Sequence, residues 1–373
     1  MADLTKCYSE FIRIENFLNV IMKIVNLSLF RRKILFGLEK YTFLGVLIYY
    51  GASTFIAAFY IKGTIVEAVM VFVMIVGVVQ MIVKFLVPLT SENELNELLL
   101  WIRGLHKDHT FDLITKSAGI HFHTIQFIIK IFHKIIFGVY LLATIAVAIF
   151  AIYTNSVLHA IPGIPVKYNE SNVYHHIHQG FILPSLTFLL TPSEYILITI
   201  GFYFIAIQNV FHDMIIHLDS SNLKNKKQFL RTIYIFHCKI LKKFKIFNDI
   251  YFYVFTIQAG SSALFIMLLF YIMRIETNLI FIPFILGIYF QFALLCIFGE
   301  IIFSKSEEIF IDLYLTKWYD FDLSDQKVFL MMMRISKYPF GLKAAGMYDI
   351  NIVMFIQVIK AGFSFCAILY TFT

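Results

Sequence analysis

Residues 65–87 read IVEAVMVFVMIVGVVQMIVKFLV, an apolar run whose only charges are Glu67 near one end and Lys84 near the other. At about 1.5 Å per residue a helix of this length crosses roughly 30 Å of hydrocarbon, and the run lacks the two-residue alternation of a barrel strand. Working outward, comparable windows stand at 41–61, 135–153, 195–216, 251–273, 279–303 and 347–372. Seven helical spans in a polytopic membrane protein are therefore expected. Composition agrees, since 60% of the 373 residues are hydrophobic and only 15% charged, whereas soluble domains carry about a quarter charged. The runs before Tyr41 are broken by Arg13, Glu15, Lys23 and Arg31-Arg32-Lys33, so the first span is expected to act as the signal in place of a cleavable peptide.

Lys and Arg number 27 on one set of alternate segments and 3 on the other, with Lys360 left inside the last window. Basic loops stay in the cytosol, which predicts a cytoplasmic N-terminus and an extracellular C-terminus. The net charge of +7 is accounted for by this asymmetry and by anionic inner-leaflet lipid, without nucleic acid. Lys62, Lys84 and Arg274 fall at window ends, where their stems are expected to snorkel. Asn169-Glu170-Ser171 is a sequon on the outer side, making Asn169 the candidate glycosylation site.

No sequence pattern supplies a nucleophile, an acid–base pair, a phosphate loop or a metal constellation, so the chain does not read as an enzyme, and no metal or cofactor is expected. His159, His175, His176 and His178 lie together in the long outer loop and read as structural. Between Phe11 and Asn26, residues Phe11, Ile14, Leu18, Ile21 and Val25 recur at helical spacing, which predicts an amphipathic helix at the membrane surface. The connection 223–248 repeats the pattern with Phe229, Ile233, Phe236, Ile240, Phe244 and Phe247, and is expected to extend its neighbouring spans into a cytoplasmic layer. No internal repeat appears, so residues 1–373 read as one domain.

Two sets of residues stand out. Lys360 sits near the middle of the last window, so that helix is either broken there or faces water, and Ser364, Ile368 and Phe372 share one face beyond it. The second set lines the outer halves of four spans: Val69, Phe72 and Val73; Val147 and Phe150; Thr199, Phe202 and Tyr203; Phe284, Ile288 and Tyr289. Such walls suit either ordinary helix packing or a small apolar ligand with a polar handle.

The last third of the chain resembles insect odorant receptors. The resemblance rests on Phe298-Gly299-Glu300, Ser304 or Ser306, Tyr314, Trp318-Tyr319, Leu342-Lys343-Ala344-Ala345-Gly346 and Phe355-Ile356-Gln357-Val358-Ile359-Lys360. Phe363-Ser364-Phe365 stands where that family usually has Tyr-Ser-Tyr, and Lys343-Ala344-Ala345-Gly346 replaces a Thr-Ala-Gly-Gly-like stretch. The resemblance implies the odorant-tuning subunit of a ligand-gated, non-selective cation channel. Such a subunit forms a heterotetramer with the olfactory co-receptor in the plasma membrane of olfactory neuron dendrites. It also implies a divided last span, a pore lined by Ser364, Ile368 and Phe372, a subunit anchor containing Trp318 and Tyr319, and a pocket for a small volatile molecule among the eleven wall residues. A G-protein-coupled receptor is disfavoured by the charge split, a secondary transporter by the absence of paired halves, and a gustatory receptor-type channel by the final motif.

Overall fold

The computed structural model describes residues 2–25, 41–61, 65–107, 112–166, 172–219, 226–275 and 282–372. Among them the order is α1 (Ala2–Val25), α2 (Thr42–Ala58), α3 (Ile65–Thr90), α4 (Glu92–Lys107), α5 (Asp112–Tyr153), α6 (Val173–Leu218), α7 (Lys226–Ile275), α8 (Ile282–Leu315) and α9 (Leu323–Ser336). A short hairpin, β1 (Lys343–Ala344) with β2 (Tyr348–Asp349), then leads into α10 (Ile352–Phe372). Five helices, α3 and α5 to α8, are long and apolar enough to cross a membrane, and α2 and α10 are shorter apolar helices. Together they account for the seven expected spans.

Helices α5, α6 and α7 contain 42, 46 and 50 residues. At about 1.5 Å per residue they are some 60–75 Å long, twice the hydrocarbon thickness. The excess forms a second layer at the end of the bundle opposite the α5–α6 loop. There α1 buries Phe11, Ile14, Leu18, Ile21 and Val25, the face its spacing predicts, against α4, α5 and α6. Glu15 receives two hydrogen bonds from Arg103, at 3.0 and 2.6 Å, tying α1 to α4, and Lys130 reaches Glu10 at 3.2 Å. The start of α7 buries Phe229, Ile233, Ile240, Phe244 and Phe247, while Phe236 is half-buried. Buried apolar faces of this kind, worth about 25 cal/mol per Å², hold the layer together.

Two expectations change, at Lys84 and at the start of α6, and the alternatives left open at Lys360 narrow to one. Lys84 does not snorkel: it is 2% exposed and paired with Glu194. Helix α10 runs unbroken through Lys360, and the break lies earlier, at the hairpin that takes up the start of the last window. Its turn places Ala345 and Gly346 at φ of 52° and 70°. Helix α6 begins at Val173, well before the window at 195–216. The intervening Pro184, Pro192, Ser193 and Glu194 lower the apparent hydrophobicity, yet the protein neutralises them locally. Ser185 and Thr191 return their hydroxyls to the carbonyls of Ile182 and Thr187, and Glu194 meets Lys84. Lys62 and Asn169 lie outside the described residues, as does the side chain of Arg274.

Candidate functional site

Helices α3, α5, α6, α7 and α8 converge on a cavity of about 120 Å³ next to the α5–α6 loop. Its wall is apolar: Val73, Met74, Val78 and Met81 from α3, Ala143 and Val147 from α5, Leu183, Leu186 and Leu190 from α6, Phe265 from α7, Phe284 and Ile288 from α8. A void of about 150 Å³ holds benzene; this one is slightly smaller, so a single-ring molecule enters where flexible side chains such as Met74 and Met81 give way. Polar atoms are few: Gln80, Tyr140, Thr144, His159 and Gln291.

Several of these polar groups belong to a buried network at the deep side. The Lys84 ammonium bonds to the Glu194 carboxylate, and the same oxygen accepts from Tyr140 Oη at 3.3 Å and from Gln291 Nε2 at 3.5 Å. Lys84 and Glu194 are 2% and 3% exposed. An isolated charge at this depth is costly, so each ion persists through its partner and the surrounding donors. Gln80, one turn along α3 from Lys84, is 5% exposed, and its Nε2 has no hydrogen-bond partner among the described residues.

The loop covering the other side is roped to α2 and α6. Ser53 Oγ donates to the Ala160 carbonyl at 2.8 Å, and the Leu158 and Ile161 amides donate to Gln179 Oε1 and His175 Nδ1, each at 3.1 Å. His176 Nε2 lies 2.7 Å from Asn155, His178 Nε2 2.8 Å from Tyr49 Oη, and His159 Nδ1 2.9 Å from Thr54 Oγ1. The loop histidines thus serve as struts. Burial drives the His159 pKa down to about 3, keeping that ring neutral.

Of the eleven wall residues singled out in the sequence, Val73, Val147, Phe284 and Ile288 line this cavity. Val69 is half-buried and Phe72 points outward at 46% exposure, while Phe150 is buried in the last turn of α5. Tyr289 stands edge-on to Phe270. Thr199, Phe202 and Tyr203 lie too deep: Tyr203 is 17 residues beyond Leu186 on α6, about 25 Å along the axis. It packs edge-on to Phe11 of α1 instead. Thr199 meets His133 at 3.1 Å, and Phe202 stands against Phe298. Sequence reasoning missed the α3 residues Gln80 and Met81 and the α7 residue Phe265, because nothing in a uniform apolar run marks which face looks inward.

Helix α10 packs one side on α7 and α8. Gly362 abuts Phe270, and Phe355 abuts Phe292. The opposite face, running through Val353, Ile356, Lys360, Ser364 and Ile368, is exposed in the single chain; the side chain of Phe372 lies outside the described residues. The helix start is fixed by α8, because the Ile352 amide donates to Glu300 Oε2 at 3.2 Å and Asn351 Oδ1 caps the Met354 amide at 2.9 Å. In the second layer Trp318 is half-buried against the core and Tyr319 is 63% exposed.

A seven-helix body with a second helical layer and a small apolar cavity between its helices is the architecture of a polytopic transmembrane protein. The chain belongs to the 7tm Odorant receptor family, whose sequence profile matches residues 64–363. It is 19% identical over 305 residues to the Drosophila melanogaster protein named Putative odorant receptor 83c, covering 75% of this chain and 77% of that protein. The fold is similar to the insect olfactory receptor OR5 from Machilis hrabei at a TM-score of 0.76, and to the same receptor in complex with eugenol at 0.70. Each comparison shows 14% identity and covers 98% of this chain and 100% of the other.

Proposed function

We propose that this receptor is the odorant-tuning subunit of a heteromeric, ligand-gated, non-selective cation channel in the plasma membrane of olfactory neurons. Its N-terminus is cytoplasmic, and an olfactory co-receptor completes the tetramer. The observation that carries this reading is the uncovered face of α10. A stripe bearing Lys360, Ser364 and Ile368 at helical spacing, exposed among the described residues, suits a wall shared with other subunits around an aqueous path. Ser364, Ile368 and Phe372 are then the pore residues. Exposed Tyr314, Leu315, Tyr319 and Leu323 suit an anchor contact in which Trp318 and Tyr319 take part.

The ligand is a small volatile molecule seated against Val73, Val147, Phe284 and Ile288. A known relative of the same fold has been solved with eugenol, a molecule of comparable chemistry. Because α8 both lines the cavity and holds the first turn of α10 through Glu300, a ligand that favours one packing of α8 shifts the open–closed equilibrium by its differential affinity. Asn169 is the glycosylation site of the outer loop.

Co-expression with an olfactory co-receptor, followed by recording against a panel of volatiles, tests the assignment. Evoked cation current is expected, and Val147→Phe, which fills the cavity, should abolish it while the chain still reaches the cell surface. Uptake of label without current would refute the channel.

A further inference from the structure

Two residues of the cavity lining, Gln80 and His159, each carry a buried polar atom with no hydrogen-bond partner among the described residues. On the deep side Gln80 Nε2 is a donor with no acceptor. On the loop side His159 Nε2 is likewise unpaired, in a ring that is wholly buried. The tautomer of that ring follows from its neighbour. The Thr54 hydroxyl donates its single proton to the Tyr50 carbonyl at 2.8 Å, so toward His159 Nδ1, 2.9 Å away, its oxygen accepts. The arrangement that keeps both contacts puts the ring hydrogen on Nδ1 and leaves Nε2 an acceptor, the opposite sense to the Gln80 donor. The other polar groups of the lining are committed: Tyr140 and Gln291 to Glu194, and Thr144 to the Tyr140 carbonyl.

A buried donor or acceptor left unmet is costly, and natural interiors keep few of them. Two in one apolar cavity, with everything else satisfied, describe the complement of an occupant. We propose that this cavity takes a compact hydrocarbon-bodied ligand whose acceptor oxygen, a carbonyl or ether, sits on Gln80 and whose hydroxyl donates to His159. Gln80 and His159 are thus the specificity residues, and the intervening Val73, Met74, Val147 and Ile288 supply non-directional burial. This deepens the odorant reading above and rests on it for the location of the ligand. The ion pair below gives Gln80 its geometry: Lys84, one turn further along α3, is held by Glu194, so the helix face carrying the amide is fixed before ligand arrives.

The test uses the full chain in detergent and three probes of one shape: styrene, benzaldehyde and 4-hydroxybenzaldehyde. The probe concentration giving half-maximal thermal stabilisation is read for each variant as a ratio to the parent, which cancels partitioning into micelles. Gln80→Met is expected to raise that concentration about tenfold for both carbonyl probes, the worth of one hydrogen bond, and to leave styrene within about twofold. The same variant should be at least as thermostable as the parent without probe, since it deletes an unmet donor. His159→Asn keeps a donor toward Thr54 and removes Nε2, so it should weaken 4-hydroxybenzaldehyde alone. Equal ratios for all three probes, or no stabilisation of the parent by any of them, overturns the proposal. Set beside the co-expression recording, the expected binding pattern in a chain that never conducts refutes the channel assignment alone. Odorant-evoked current with flat ratios refutes this inference alone.

Discussion

Replacing Lys84 with Met leaves the Glu194 carboxylate at 3% exposure without its cation, while Tyr140 and Gln291 remain its donors. Breaking a buried pair by removing one partner costs about 3–5 kcal/mol. With about 2.1 cal/mol/K of unfolding entropy per residue over 373 residues, the entropy is roughly 0.8 kcal/mol/K. A loss of about 4 kcal/mol therefore lowers the melting midpoint by about 5 °C. Adding Glu194→Gln removes the orphaned charge and keeps the acceptor for Tyr140 and Gln291, so the double variant should recover to within about 1–2 °C of the parent. Fluorescence-detected size exclusion after a heating series gives the midpoints for the parent, both single variants and the double. A Lys84→Met midpoint equal to the parent, or a double variant as low as the two single losses added together, would refute the claim that the ions stabilise one another across α3 and α6.

Lowering the pH should loosen the second layer through His106, whose ring is caged by Phe11, Phe122 and Tyr203 and whose pKa burial lowers to about 4. The unfolded ring titrates near 6.5, so the stabilisation is complete above about 6.5 and declines as the pH falls toward 4; between pH 7 and 5 it amounts to about 2 kcal/mol. His106→Phe should flatten that part of the melting-temperature profile, and a profile identical to the parent's would remove His106 from the account. Ala345 holds a left-handed φ of 52° in the hairpin turn, so Ala345→Gly is expected to stabilise by about 1 kcal/mol, read as a higher midpoint. Gly299→Ala places a Cβ 2.0 Å from the Ile350 carbonyl oxygen. Relief requires α8 and the α10 start to separate, which should cost about 3 kcal/mol and alter basal current; wild-type gating and stability together would contradict it.

Gly299 shows why the resemblance to a family could be drawn from short motifs while their purpose could not. Phe298-Gly299-Glu300 is recognisable as three letters, yet its work is to bring the Ile350 carbonyl close and to hold the Ile352 amide, residues some fifty positions away. Lys360 is the converse: the sequence marked it as anomalous for a membrane helix and left open a break there or a water-facing position, and α10 runs unbroken through it with the residue exposed. Only the pairing of Lys343 with Asp349 reveals the hairpin before α10.

The sequence alone determined that the chain crosses a membrane as seven helices and that amphipathic helices add a second layer, because apolar run length and 3.6-residue spacing are local properties. It also singled out the α10 face carrying Ser364 and Ile368. Which residues meet at the cavity was decided by tertiary structure. Within a uniformly apolar helix no residue's character distinguishes the face toward lipid from the face toward a void, so Phe72 and Val73 read alike although one is outside and the other inside. The same holds for charge: Lys84 and Glu194 are 110 positions apart, and only the relative rotation of α3 and α6 turns two costly ions into one neutral, hydrogen-bonded floor.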